Sequence, residues 1–159
     1  MSARTRSASG FTLVEILIVV VILGILAAIV IPQFTNASDS AKGSSLTSQL
    51  QTIRSQLELA QIQHGSTYPD ISGSGWTPLT GKTAGVAAYT ASTASTAFGP
   101  YLQQAPVNPF ESSSTVGASA AAGVGWVYSS SNGAIKAVMA TAKASNLYSP
   151  VPTNDIATY

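Results

Sequence analysis

Ile16-Leu-Ile-Val-Val-Val-Ile-Leu-Gly-Ile-Leu-Ala-Ala-Ile-Val-Ile31 is a run of sixteen apolar residues without a break. Extended outward, Phe11 to Phe34 holds 24 residues whose only charged side chain is Glu15. At ~1.5 Å of rise per residue such a helix is about 36 Å long, enough to cross a hydrocarbon core of about 30 Å. A soluble protein could bury a helix that is apolar all round only by surrounding it. The rest of the chain has no element of matching size to do so. The run therefore predicts one membrane-spanning helix over residues 11–34, in contact with lipid.

Upstream of this span the only charged residues are Arg4 and Arg6. A basic stretch before an apolar run is also how a secretory signal begins. Two details argue against removal by ordinary signal peptidase. The span exceeds the roughly 7–15 residues of a usual signal core, and the nearest small-x-small site after it, Thr35-Asn36-Ala37, is poor. The basic flank predicts that residues 1–10 stay in the cytoplasm and that the chain beyond residue 34 lies outside it.

The 159 residues leave room for one domain besides the span. Charged side chains make up 8% of the chain, and without Arg4 and Arg6 the formal net charge falls from +1 to −1. No basic field remains for nucleic acid. The absence of cysteine excludes disulfides, thiol catalysis and thiolate metal sites, and it leaves the compartment open.

Beyond Phe34 the composition turns polar while a helical period persists. Leu46, Leu50, Ile53, Leu57 and Ala60 form a single apolar stripe. Arg54 and Glu58 are placed to pair at i, i+4 on the exposed side. His64-Gly65 ends the pattern as a C-cap, with His64 favoured there by the helix dipole, and Pro69 follows. One helix over 11–63 results, whose first half meets lipid or other helices while its second half (35–64) packs on a head domain.

The head, residues 65–159, carries six charged side chains. Residues 65–100 read as a long irregular connection, with Tyr68, Trp76 and Tyr89 as anchors. Prolines punctuate Phe98 to Phe110, which should be extended and turn-rich. Val124-Gly-Trp126-Val-Tyr128 puts alternate large residues on one face, and Ala134–Met139 sets Ile135, Ala137 and Met139 against Lys136 and Val138, around a five-residue loop ending Asn132-Gly133. They predict an antiparallel hairpin over 124–139, leaning on the Leu46–Leu57 stripe. The fold class is therefore α+β: a long N-terminal helix packed on a small antiparallel sheet.

Gly10-Phe11-Thr12-Leu13-Val14-Glu15, following a short basic leader and preceding the apolar helix, resembles the signature of the prepilin (type IV pilin-like) family. The match runs unbroken from Gly10 through Pro32. The resemblance implies that a membrane prepilin peptidase cuts between Gly10 and Phe11 and methylates the new amine of Phe11, and that the helix is retained. It implies further partners: copies of the chain itself, related pilin-like subunits and an inner-membrane assembly platform. Gly24 and Pro32 sit where family helices carry Gly and Pro and can lose helicity in filaments. The two residues are equally explained by the ordinary tolerance of membrane helices for them.

A carboxylate at membrane depth costs about 2.5–3.5 kcal/mol unless it is paired or reaches the surface. For Glu15 the resemblance implies pairing with the Phe11 amine of a neighbouring subunit. Its own N-terminus and the lipid headgroups are the other candidates.

A second set of residues, Gln61-x-x-His64-Gly-x-x-Tyr68-Pro69, Gly99-Pro-Tyr-Leu102 and Pro106-Val-Asn-Pro109, is similar to the major pseudopilins of type II secretion. That group often binds calcium. The candidates here, Asn108, Glu111, Asn154 and Asp155, hold too few carboxylates to predict a site, so no metal or other cofactor is expected. The missing cysteine pair points the same way within the family, toward the secretion branch and away from disulfide-closed pilins.

Nucleophile elbows, phosphate loops and metal-ligand clusters are absent from the sequence, and one histidine leaves little for acid–base chemistry. Neither catalytic residues nor enzyme activity is expected. Two functions compete: a subunit of a type II secretion pseudopilus or type IV pilus-like filament, and an uncleaved signal-anchored protein with a small binding head. The first accounts for Gly10, Phe11 and Glu15 together.

Overall fold

The computed structural model describes residues 10–85, 89–141 and 153–159, so the expected leader, apart from Gly10, lies outside the described residues. The chain divides into two units, one ending at Ser38 and the other running from Asp39 to Tyr159. Helix α1 spans Leu13–Gln63 and passes through Gly24 and Pro32 without a break.

In the first unit every described side chain is exposed, from Phe11 at 79% to Phe34 at 72%. The most apolar window of α1 has a mean hydropathy of 3.3, and the described residues bury none of it. By length and composition this is a helix able to cross a membrane. Pro32 lacks the N–H that would reach the Ala28 carbonyl. One turn on, the Thr35 hydroxyl donates to the Ile31 carbonyl at 3.2 Å.

In the second unit α1 changes character. Gly43, Leu46, Leu50, Ile53, Leu57 and Ala60 are buried, at spacings that alternate between three and four residues. The helix ends where a residue with positive φ is needed: Gly65 has φ 64°, and the Ser66 N–H returns to the Gln61 carbonyl at 2.9 Å. That bond satisfies a terminal carbonyl as a glycine C-cap does.

The expected hairpin packs on the stripe. Strand β4 is Trp126–Ser129 and strand β5 is Ala134–Met139, antiparallel, with Trp126 opposite Ala137 and Tyr128 opposite Ile135. Trp126, Tyr128, Ile135, Ala137 and Met139 share one core with Leu46, Leu50, Ile53 and Leu57. Gly133 closes the turn at φ 68°, and a side chain there would run into the ring of Tyr68.

Around this hairpin the sheet is mixed rather than purely antiparallel. Val116–Gly117 (β3) pairs parallel with β4, and Ile156–Thr158 (β6) pairs parallel with β5. Strands of two and three residues have no alternation to read, so neither was visible to the period argument.

Three expectations are corrected. Residues 65–100 are more regular than a long connection. They hold two single-turn helices, α2 (Ile71–Ser74) and α3 (Thr77–Thr80), and a short ladder of β1 (Thr83–Ala84) with β2 (Thr90–Ala91). Asp70 starts α2 by accepting from the Ser72 and Gly73 N–H groups at 3.2 Å and from the Ser72 hydroxyl at 2.7 Å. These bonds, the Ser72 hydroxyl first, hold its carboxyl below the usual aspartate value.

Arg54 does not pair with Glu58. Its Nη2 donates to Asp155 Oδ1 at 2.7 Å and to the Ile135 carbonyl at 3.0 Å, tying the approach to β6 onto the helix. Asp155 wins because one guanidinium can serve both a carboxylate and a strand carbonyl.

His64 does follow the last residue of α1, where a cap belongs, but it is fully buried there among side chains of the head. Its ring stacks on Tyr89 at 4.0 Å, meets the edges of Phe98 and Tyr101, and lies 3.1 Å from the Thr83 hydroxyl. Four residues past Ala60, it is the next position of the stripe.

Asn108 is the polar pin of the head. Fully buried, its Nδ2 donates to the Gly125 and Val138 carbonyls at 2.8 and 2.7 Å, and its Oδ1 accepts from the Phe110 N–H at 2.9 Å. The amide thus fastens the proline-rich loop to the root of both hairpin strands. Gly125 allows this approach, since a Cβ there would strike the Ser113 carbonyl.

Two outcomes follow for denaturant unfolding of the detergent-extracted protein. Leu50→Ala should cost about 2–5 kcal/mol, because Leu50 is 1% exposed against a closed core. Unchanged stability would mean that the stripe is not core. Asn108→Ala should cost upwards of about 2 kcal/mol, since it removes three buried hydrogen bonds and takes the amide donor from the Val138 carbonyl, while the Gly125 carbonyl keeps the Val138 N–H. Asn108→Asp should be worse at neutral pH and recover toward acid, because only the protonated acid can donate to a carbonyl. A flat pH response of that variant would show that Asn108 does not donate.

Candidate assembly site at the start of the helix

Gly10, Phe11 and Thr12 precede α1 in non-helical, exposed chain, and a Cβ added at Gly10 would meet nothing within 4 Å. The peptide bond between Gly10 and Phe11 therefore lies open, ahead of the first helical turn.

Thr12 and Glu15 are brought together in a way that the sequence reading passed over. The Glu15 N–H donates to Thr12 Oγ1 at 3.2 Å, and the Thr12 N–H points back to Glu15 Oε2 at 3.5 Å. This is a capping box, in which two amides of the first turn that no helical carbonyl can reach are satisfied reciprocally. Its signal, Thr-x-x-Glu ahead of an apolar run, was in plain view. Glu15 itself is exposed, on the same turn as the chain start that cleavage at Gly10 would create.

Gly24 and Pro32 lie farther along the same helix and make no contact with this site. Gly24 has open space where a side chain would be, and Pro32 sits inside a continuous helix.

The residues considered for calcium do not converge. Asn108 is consumed in the core, Asp155 holds Arg54, and Glu111 Oε2 accepts from the Tyr159 hydroxyl at 3.1 Å. Among the described residues, no group of three or more His, Cys, Asp or Glu side chains is placed to hold a metal.

Residues 5–31 match the family model described as the prokaryotic N-terminal methylation motif. The chain is similar to the type II secretion system core protein G of Pseudomonas aeruginosa, 43% identical over 61 residues, which are 38% of this chain and 43% of that protein. It is 38% identical to the corresponding protein of Klebsiella michiganensis over 66 residues, 42% of this chain and 46% of the relative. A type IV narrow pilus major component of Thermus thermophilus is 41% identical over 56 residues, 35% of this chain and 48% of the relative.

The chain thus spans less than half the length of the curated relatives it matches. No solved structure matches it. These relatives are named for the core of a secretion system and for a pilus. Residues 5–31 thus carry the prokaryotic N-terminal methylation motif, and the chain is similar over 56 to 66 residues to secretion and pilus proteins.

Proposed function

We propose that this chain is the precursor of a filament subunit, cleaved between Gly10 and Phe11 by a prepilin peptidase and methylated on the Phe11 amine. Residues 11–34 anchor it in the inner membrane, with residues 35–159 on the far side, until it polymerises with copies of itself or related subunits on an assembly platform. The single observation that carries this reading is the open Gly10–Phe11 bond directly ahead of a capped helix whose first half is apolar and exposed. A secretory signal has no need of a capped helix beyond its cut site. The similarity to secretion core protein G favours a type II secretion pseudopilus over a surface pilus.

Glu15 has two tasks in this proposal. In the free subunit it completes the capping box, and in the filament it meets the Phe11 ammonium of a neighbour. A charge pair inside an apolar bundle is tolerated where a lone carboxylate is not. Gly24 and Pro32 are then the places where the helix yields most easily on entering the filament, since each weakens its backbone ladder.

Intact-mass measurement on membrane-extracted protein tests the processing. The mature chain should begin at Phe11 and carry one methyl group on its amine. A chain that keeps Met1, or one that starts after Ala37, would falsify it.

Substitutions at Glu15 separate its two tasks. Glu15→Gln keeps the capping box but removes the charge, whereas Glu15→Val removes both. Both should insert into the membrane at wild-type levels and lose filaments from sheared fractions. Glu15→Asp, which keeps the charge with less reach, should be intermediate. Wild-type filament yield from Glu15→Gln would show that the cap alone matters.

A further inference from the structure

Within the unit from Asp39 to Tyr159, four large apolar side chains are exposed among the described residues: Leu59, Ile62, Val107 and Tyr159. Leu59 and Ile62 lie three apart, on one side of α1 away from the stripe, and Ile62 is 75% exposed. A helix that buries its core face fully and still shows two bulky aliphatics elsewhere has a second surface to cover.

The same unit holds a groove that could take them. It runs between α1 and the loop leading to Asn108, with a volume near 490 Å³. Ser45 and Gln49 form one wall, Ile53 and Leu102 lie deep in it, and Pro106 and Val107 form the opposite lip. Its lining includes no ionisable side chain.

The two surfaces sit at different levels of one helix. When the knob of one copy enters the groove of the next and its own groove takes a third copy, the contact is heterologous, and it propagates as a filament wherever its rotation does not close a ring. Charge adds a direction. Glu58 stands one turn before Ile62, and Lys42 stands one turn before Ser45 at the head of the groove. Both are exposed, and neither has an ion-pair partner among the described residues.

We infer that the Leu59–Ile62 face of one copy docks into the groove between α1 and Val107 of a second copy, with Glu58 facing Lys42 across the junction. The inference rests on the filament reading above and gives it a contact between heads, separate from Glu15.

The chain has no cysteine, so a cysteine pair reports this contact without background. Ile62→Cys combined with Val107→Cys, oxidised in sheared filaments, should give a ladder of disulfide-linked multimers. Either single variant should give nothing beyond dimer. Filaments of the double variant that assemble at wild-type yield but run as monomers overturn the contact and leave the filament reading standing. If the wild-type chain yields no filaments at all, the filament reading fails and this contact goes with it.

Should the cysteine pair itself block assembly, charge exchange decides. Glu58→Lys and Lys42→Glu should each lower filament yield several-fold with the processed subunit still in the membrane, and together they should restore it. Two single variants at wild-type yield, or no restoration in the double variant, would sink the proposal.

Discussion

Everything in this molecule hangs on a change of solvent along one helix. From Ile16 to Ile31 the residues of α1 are apolar on every side, and the described residues cover none of them. From Gly43 onward the apolar residues retreat to a seam spaced alternately by three and four. A seam of that spacing keeps one face toward one partner, so the head needs only a hairpin and its flanking turns to close a core. Fully burying each Leu or Ile of the seam contributes about 1.5–3 kcal/mol, which is substantial for so small a sheet. The same geometry that stabilises the head leaves the first half of the helix for lipid or for other helices.

What could be read in advance follows from the range of each interaction. The apolar helix, the seam and the β4–β5 hairpin are written in patterns over many residues, and the structure contains all three. The parallel additions of β3 and β6 are two- and three-residue contacts set by where the chain happens to return, and no local pattern announces them. Arg54 shows the same limit for charge. A neighbour at i+4 was in reach, but a carboxylate a hundred residues away arrived together with a strand carbonyl, and two acceptors outweigh one.

Two omissions were of a different kind, because the signal was there. His64 continues the seam by four residues beyond Ala60, and its burial is what that register requires. Its aromatic surroundings bind the β1–β2 region to the end of α1, so a polar residue closes an apolar seam by stacking. At the other end of the helix, Thr12 and Glu15 carry the spacing of a capping box, overlooked because Glu15 was being read for its charge alone. The lesson from both is physical: a residue with an obvious chemical role still obeys the local rules of the helix it sits on.

That double duty bears on how a subunit could leave the membrane. A carboxylate facing lipid is costly, and one that accepts from a backbone amide of its own first turn is less so, since part of its lost hydration is replaced. An N-terminal cap of this kind contributes about 0.5–2 kcal/mol, modest enough to be given up. When a neighbour's ammonium arrives and water is excluded around it, the ion pair gains in strength as the local dielectric falls. The cap can then be exchanged for the pair without the carboxylate ever standing alone. On the proposed function, Glu15 would be held in a low-cost waiting state by Thr12 and released only to a partner of opposite charge. Geometry and electrostatics then favour the same event: a subunit whose first turn is already ordered presents its acid at a fixed place, and only a processed neighbour has the amine to take it.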